Sequence, residues 1–302
     1  MESRLARLFG GGLGLTASLS CLPAVALCPA DLPQRLAAIS VRPELSGARL
    51  GVQVETLSGT VVYSQEGDRF FVPASTLKLL TTAAALTVLG PDHTLPTTIM
   101  GASTATGRTA LTVVGGGDPT ISTASLDALA QQLAPYDLSL VEVLYGDESA
   151  LPGAIVNPHW EWEDVQAGYG APVNALILNE NEIGLTLVPQ QVGQPLQVVW
   201  DEPAYGEDWA IDNTSRTVEP NEAEFVRVGR ELGRPTLRVG GQLIAGAEPE
   251  TAAIAEPNPG LAFLAALQAA LATQGIRVQQ THLSPPPGGG GWESLGARGA
   301  PA

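Results

Sequence analysis

The chain has 302 residues and a formal net charge of −16, because 31 acidic residues stand against 15 basic ones. This charge argues against a nucleic-acid partner, since such binding needs basic patches that meet phosphates. Hydrophobic residues make up 44% of the sequence and charged residues only 15%, which is enough apolar material for a folded core. The three histidines are dispersed, so we predict no metal site and no cofactor.

Residues 1–26 have the pattern of a secretory signal. Two arginines precede an apolar stretch from residue 8 to residue 19, and an A-x-A cleavage site follows at residues 24–26. The alternative is a lipoprotein signal with Cys21 as the lipid acceptor, but the leucine usually found three positions before that cysteine is absent. No later run approaches the roughly 18 apolar residues of a membrane span. We therefore predict a periplasmic or secreted protein.

Residues 27–96 are expected to form the first piece of an α/β domain. The sequence predicts a short helix over residues 32–39 and a strand over residues 49–55. A turn at Ser58-Gly59-Thr60 leads into a second strand over residues 61–64, which together predict a β-hairpin.

The pair formed by Ser75 and Lys78 is the strongest chemical signal, because Lys78 is the only lysine of the chain. Pro73 stands ahead of the serine and Gly90-Pro91 ends the apolar run over residues 79–89, so a helix is predicted. Residues i and i+3 lie on one side of a helix, which allows the hydroxyl and the amine to meet. A neutral lysine can take the proton of a serine and make it nucleophilic. The spacing predicts an acylation centre; the alternative is an ordinary helix serine beside a solvated lysine.

Short strands and turns are predicted for residues 97–255. Residues 176–178 and 183–188 flank an Asn-Glu-Asn-Glu segment and predict a hairpin. The glycine run before Asp118-Pro119 is interpreted as a turn, because no helix follows that would make it a phosphate loop. Further strands are predicted over residues 110–114, 139–145, 197–200, 224–228 and 235–239, and a helix over residues 123–133.

Residues 256–283 are expected to return to the first domain. Asn258-Pro259 starts a predicted helix that Gly275 stops, and residues 276–278 would be the returning strand. One side of this helix is predicted to consist of Leu261, Leu264, Leu267 and Leu271. Residues 284–302 are dominated by Gly, Pro and Ala, so we predict a disordered tail.

Four stretches of the sequence, in a fixed order, resemble one enzyme family. They are residues 71–81 with Leu89-Gly90-Pro91-Asp92, residues 116–120, residues 146–149 with Trp160-Glu161-Trp162 and residues 169–172, and Asn179-Glu180-Asn181. Their order and spacing resemble the serine-type D-alanyl-D-alanine carboxypeptidase/endopeptidases, the low-molecular-mass class C penicillin-binding proteins. The resemblance runs from about Asp31 to about Leu283.

The resemblance implies a fold, a reaction and site residues. The fold would be an α/β penicillin-recognising (β-lactamase/transpeptidase-like) domain, incomplete here, with a large β-rich inserted domain over residues 97–255 between the first active-site motif and the C-terminal part. Ser75 would be acylated by peptidoglycan stem peptides, with Lys78 as its base, and β-lactams would be covalent inhibitors. Asp147 would contact the peptide stem; the alternative is a turn aspartate that bonds to its own backbone.

Two motifs of that family are absent from these 302 residues. No serine is followed two positions later by asparagine, and the single lysine leaves none for a K-T-G motif. We therefore expect a C-terminally truncated chain with impaired activity, ending either in a linker or in a shifted reading frame. The alternative function is a non-catalytic truncated product that at most binds cell-wall peptides. A β-lactamase or an esterase would use the same pair, but the large insertion argues against both.

Overall fold

The computed structural model describes residues 29–105, 107–288 and 291–301, and the predicted export signal over residues 1–26 lies outside them. The chain divides into two compact units, one up to Ala83 and the other from Ala84 onward.

The first unit contains a helix, a hairpin and the start of a second helix. Helix α1 spans Leu32–Ser40, and strands β1 (Val52–Glu55) and β2 (Val61–Gln65) pair antiparallel. Gly59 turns the hairpin with a φ of 85°, which glycine adopts at no steric cost. Helix α2 spans Leu77–Leu89. These elements confirm the helices and the hairpin predicted from the sequence.

The larger unit contains a five-stranded mixed sheet. Its strands are β3 (Thr94–Ser103), β4 (Thr109–Val114), β5 (Leu140–Asp147), β13 (Arg277–Leu283) and β14 (Glu293–Pro301), in the order β13-β5-β4-β3-β14. The pairs β4–β5 and β5–β13 are parallel, and the pairs that involve β3 are antiparallel. Helices α3 (Thr123–Gln131) and α5 (Pro259–Thr273) pack with this sheet around one hydrophobic core.

The ends of α3 and α5 follow from local sequence. Ser122 and Ser125 form a reciprocal capping box at the start of α3. Pro259 occupies the first turn of α5, and Gly275 ends that helix with a φ of 77°. The predicted apolar side of α5 is wrong in one position, because Leu261 is 52% exposed. Phe263 is fully buried in its place and joins the core.

A second β region lies between β5 and α5 in the chain and has its own hydrophobic core. Its strands are β6 (Glu182–Val188), β7 (Gln197–Trp200), β8 (Ala210–Asn213), β9 (Arg216–Val218), β10 (Phe225–Arg230), β11 (Thr236–Ile244) and β12 (Glu250–Ala255). One sheet has the order β12-β6-β7, and the other has the order β10-β11-β8 with β9 also paired to β11. A single helical turn, α4 (Tyr205–Asp208), precedes β8.

The structure differs from the predicted hairpin around residues 179–181. Residues 176–178 form no strand, and β6 pairs with β7 and β12 instead. The reason is that β7 and β12 occupy both edges of β6, so no edge is left for residues 176–178. Asn179, Glu180 and Asn181 turn the chain here with left-handed φ angles of 47°, 59° and 58°.

Two features of residues beyond 255 go beyond what the sequence predicted. Strand β13 pairs parallel with β5, and α5 shares the core of β4 and β5, while the assignment of residues 256–283 to the first domain stays a prediction. The tail over residues 284–302 is not disordered throughout, because β14 pairs along β3 from Glu293 to Pro301. Backbone hydrogen bonds to an open sheet edge, together with the packing of Leu295 against the core, offset the ordering entropy of this Gly- and Ala-rich stretch.

Candidate active site

Ser75 lies on a single 3-10 turn, Ala74–Thr76, that leads directly into α2. The amide of Thr76 donates to the carbonyl of Pro73 at 3.0 Å and closes the turn. Ala74 has a φ of 44°, a left-handed conformation that costs a residue with a Cβ atom about 1–2 kcal/mol. Backbone strain of this kind concentrates at functional sites, where the surrounding structure maintains it. The predicted position of Ser75 at the start of a helix is confirmed.

Lys78 stands beside Ser75, one helical turn along the same face. The Lys78 Nζ donates to the Ser75 Oγ at 3.3 Å. The contact needs nothing beyond the helix itself, because the two residues are three positions apart. A neutral amine at the same place would instead accept the proton of the serine hydroxyl, and this proton transfer activates a serine as a nucleophile.

The surroundings of this pair are open and apolar. Ser75 and Lys78 are both exposed, and Leu79 and Leu80 beside them are 73% and 70% exposed. Helix α2 has no buried residue, although its sequence is apolar on every side. Helices of that composition are ordinarily covered on all sides.

Asp147 ends strand β5 in the larger unit and takes part in a turn. Its Oδ1 accepts a hydrogen bond from the amide of Ser149 at 2.9 Å, and its carbonyl accepts from the amide of Gly115 at 3.0 Å. The side-chain bond is that of an Asx turn. The structure brings Ser75 and Lys78 together; Asp147 belongs to the other compact unit, and its contact with a peptide stem stays a prediction.

A cluster of buried side-chain amides in the larger unit was not predicted from the sequence. Asn181 is 3% exposed, and its Nδ2 donates to the Pro172 carbonyl and to the Asn174 Oδ1, both at 2.8 Å. Its Oδ1 accepts from the amide of Leu178 at 3.2 Å. Asn174 in turn donates to Glu148, the residue after Asp147. The Asn-Glu-Asn segment was visible in the sequence, but its left-handed backbone and its buried partners were not.

A cavity lined by arginines also escaped the sequence analysis. It has a volume of about 530 Å³ and is called the arginine cavity below. Its polar and aromatic lining consists of Trp162, Gln166, Arg230, Glu231, Arg234 and Arg238. The sequence did contain a clue to this cavity, which is a cluster of arginines. Four of the 15 basic residues of the chain fall within twelve positions: Arg227, Arg230, Arg234 and Arg238.

Two classes of feature are absent from the part of the chain that the structure describes. No group of three or more His, Cys, Asp or Glu side chains is arranged there to hold a metal ion. Among the same residues, no helix combines the length and the apolar character that a membrane crossing requires.

A family model and a curated relative both match this chain, and both are D-Ala-D-Ala carboxypeptidases. The model of the D-Ala-D-Ala carboxypeptidase 3 (S13) family matches residues 32–285. A D-alanyl-D-alanine carboxypeptidase from an Actinomadura species is 34% identical over 262 residues, which cover 82% of this chain and 48% of that protein. The chain thus spans about half the length of this curated relative.

Solved structures show the same fold. Penicillin binding protein 4 from Haemophilus influenzae superposes with a TM-score of 0.69 at 22% identity, covering 91% of this chain and 59% of that one. A complex of the same protein with a β-lactam superposes with a TM-score of 0.62 at 20% identity, covering 84% and 55%. The α/β fold with several sheets and a β-rich region is therefore confirmed. The coverage does not bear out the expected C-terminal truncation, which stays a prediction.

Proposed function

The chain belongs to the D-Ala-D-Ala carboxypeptidase 3 (S13) family, and we propose that it cleaves D-Ala-D-Ala peptides of peptidoglycan through an acyl-serine intermediate on Ser75. The observation that carries the proposal is the 3.3 Å contact between the Lys78 Nζ and the Ser75 Oγ. The family supplies the substrate class, and the contact supplies a nucleophile with a base in reach.

The reaction can be written with the residues of this chain. A neutral Lys78 amine takes the proton of the Ser75 hydroxyl while the Oγ bonds to the carbonyl carbon of the penultimate D-alanine. The peptide bond breaks, the proton passes to the amine of the leaving D-alanine, and the stem peptide stays esterified to Ser75. Water then adds to the ester carbonyl, releases the shortened peptide and returns the proton to Ser75. A β-lactam would acylate the same oxygen by ring opening, with no group leaving.

A second candidate is a chain that binds cell-wall peptides without turning them over. One observation favours it: Ser75 and Lys78 are both exposed to water. Water competes for the amine and weakens the electrostatic stabilisation of an oxyanion. The loss of one oxyanion donor alone typically lowers the rate by about 10²–10³.

One labelling experiment separates the two candidates. The 302-residue chain is incubated with a fluorescent penicillin, and the labelled peptide is identified by mass spectrometry. The same assay is run on the chain extended with the homologous C-terminal segment of the Actinomadura relative. We expect label on the peptide that contains Ser75, slow in the short chain and fast in the extended one. Ser75→Ala should abolish it, whereas Ser46→Ala, an exposed serine of the same unit, should leave it unchanged.

Lys78 has its own diagnostic in this assay. Lys78→Met keeps the approximate length of the side chain but removes the base, so acylation should fall by about 10²–10⁴ in the extended chain. Label in the extended chain that persists in Ser75→Ala would overturn the proposed nucleophile. An extended chain that labels while the short chain never does would rule out acylation of the 302 residues, and the binding-only candidate would then also need a stem peptide that binds the short chain.

We also propose that the protein is exported, as the pattern of residues 1–26 predicts. Export supports the proposed function, because peptidoglycan lies outside the cytoplasm. N-terminal sequencing of the mature protein is expected to begin at Leu27. Lipid on Cys21, detected by mass spectrometry, would show that the lipoprotein alternative is correct.

A further inference from the structure

The arginine cavity is a positive feature on a protein of strongly negative charge. Three arginines and one glutamate among its lining residues leave two positive charges in excess, while the whole chain carries −16. It lies at the turn between β10 and β11, with Trp162 and Gln166 contributed by an earlier loop. All of its residues belong to the larger unit, and none takes part in the chemistry proposed for Ser75.

Arg230 is buried at the wall of this cavity, where it is 7% exposed, and forms no close salt bridge with the described residues. Its Nη1 and Nη2 donate to the carbonyls of Glu231 and Val165 at 3.4 and 3.3 Å, and its Nε has no partner among those residues. Burial lowers the pKa of Arg230, and the charge of Glu256 offsets this in part. A buried cation in this state is stabilised by any anion that reaches its guanidinium group.

The two other arginines are held at the mouth of the cavity by one carboxylate. Glu231 accepts from Arg238 at 2.6 Å and pairs with Arg234 at 3.3 Å. Arg234 and Arg238 nevertheless remain 78% and 59% exposed at their side chains. Each guanidinium has five N–H donors, so donors remain for a second oxyanion beside Glu231. Each guanidinium also has the planar fork of donors that carboxylates and phosphates bind.

Trp162 supplies a flat apolar wall to the same cavity. The indole is 70% exposed, although tryptophan is a residue that folding tends to cover. An exposed indole beside arginines suits a ligand that joins an apolar ring face to an anionic group. The volume of about 530 Å³ lies in the range of small-molecule sites, which is about 300–1,000 Å³.

We propose that the arginine cavity binds a sugar that carries an oxyanion, either a carboxylate or a phosphate, with the sugar ring on Trp162 and the oxyanion on Arg234 and Arg238. Arg230 adds a buried positive charge at the wall, which Glu256 offsets in part. The proposal goes beyond the acyl transfer at Ser75 and does not depend on it. A cell-wall glycan is one source of such a ligand with a carboxylate, and a wall polymer with phosphodiesters is the other.

The proposal can be tested on the full chain by ligand-detected NMR titration with three sugars. N-acetylmuramic acid carries a carboxylate, N-acetylglucosamine 6-phosphate carries a phosphate, and N-acetylglucosamine carries neither. We expect at least one of the two anionic sugars to bind with a Kd about tenfold or more below that of the neutral sugar. Binding of only one identifies the source as carboxylate or phosphate, and either result supports the site.

Trp162, Arg238 and Arg277 are exposed, so replacing them should leave the fold intact. Trp162→Ala and Arg238→Gln should each weaken binding about tenfold, while Arg277→Gln, which removes an exposed arginine from β13, should change it less than about twofold. Glu231→Gln should strengthen binding, because it removes the carboxylate that now pairs with both arginines.

Three results would overturn the proposal. One is a neutral sugar that binds as tightly as both anionic ones, or no binding by any of the three. Another is an equal loss of affinity in Arg277→Gln and Arg238→Gln, which would mean an effect of net charge alone. The third is a Glu231→Gln variant that binds the anionic sugar no more tightly than the parent chain.

Discussion

Replacing Asn181 with alanine tests whether the buried amide cluster holds the larger unit together. The side chain makes three hydrogen bonds, to Pro172, Asn174 and Leu178, and all three partners are buried. Alanine would leave one buried amide and two buried oxygens without this partner. The backbone at this position is left-handed, with a φ of 58°. Alanine has no polar side chain that could hydrogen-bond locally and stabilise this conformation. Asparagine tolerates that region better than alanine does.

The magnitude follows from these contributions. A buried hydrogen bond contributes a net of about 0.5–1.5 kcal/mol, so three bonds give about 1.5–4.5 kcal/mol. The left-handed backbone adds about 1 kcal/mol for alanine. We therefore expect Asn181→Ala to lower the free energy of unfolding by about 2.5–5.5 kcal/mol. Asn181→Gly loses the same bonds without the backbone cost, so it should be less destabilising than alanine by about 1 kcal/mol.

Urea unfolding followed by tryptophan fluorescence measures this loss in the intact chain. All five tryptophans lie between residues 160 and 292, so the signal reports on the larger unit alone. The matched control is Asn157→Ala, which removes an exposed turn asparagine that accepts from the amide of His159 at 2.9 Å. It should cost less than about 1 kcal/mol. A loss for Asn181→Ala no greater than that of the control would refute the reasoning.

Three further predictions concern the same unit. Phe263→Ala should cost about 3–5 kcal/mol because the ring is fully buried, whereas Leu261→Ala on the same helix should cost under about 1 kcal/mol; equal losses in urea unfolding would mean that the assigned core face is wrong. Leu295→Asp should release β14, so hydrogen exchange should speed up there and not in β5; unchanged exchange would argue against the β3–β14 pairing. Burial raises the pKa of Glu256 above its ordinary 4.5, because the folded protein favours the neutral carboxyl group. The stability that this group contributes is therefore fully present below pH about 4.5 and is lost as the pH rises through its pKa in the folded protein. Glu256→Gln should remove that loss, and identical pH profiles of the two proteins would contradict it.

Elements that depend on nearby residues were predictable from the sequence. Periodicity and turn residues predicted α1, the β1–β2 hairpin and α5, because each is decided within a few positions. Pairings across long stretches of chain were not predictable in the same way. The joining of β13 to β5 and of β14 to β3 depends on which sheet edge is open, and no local pattern encodes that.

In the candidate site, too, local features were predictable from the sequence and long-range ones were not. Ser75 and Lys78 could be paired from spacing alone, since one helix positions both. Asp147 could be placed at a turn but not related to the pair, because it belongs to a separate unit. The arginine cavity needed the structure, since Trp162 and Arg230 are distant in sequence and meet only after β10 and β11 have folded.

The pairing of β3 with β14 has a consequence for how the protein is made. Residues of β14 follow their partners in β3 by about 190–210 positions. Whether the chain emerges during synthesis or during export, one edge of β3 therefore stays open after β4 has already paired with the other edge. An unpaired edge can recruit a strand from another unfolded copy during that interval. Pro96 partly blocks such recruitment, because it has no N–H to offer a foreign strand, and it is paired with Gly299 once synthesis has passed that point.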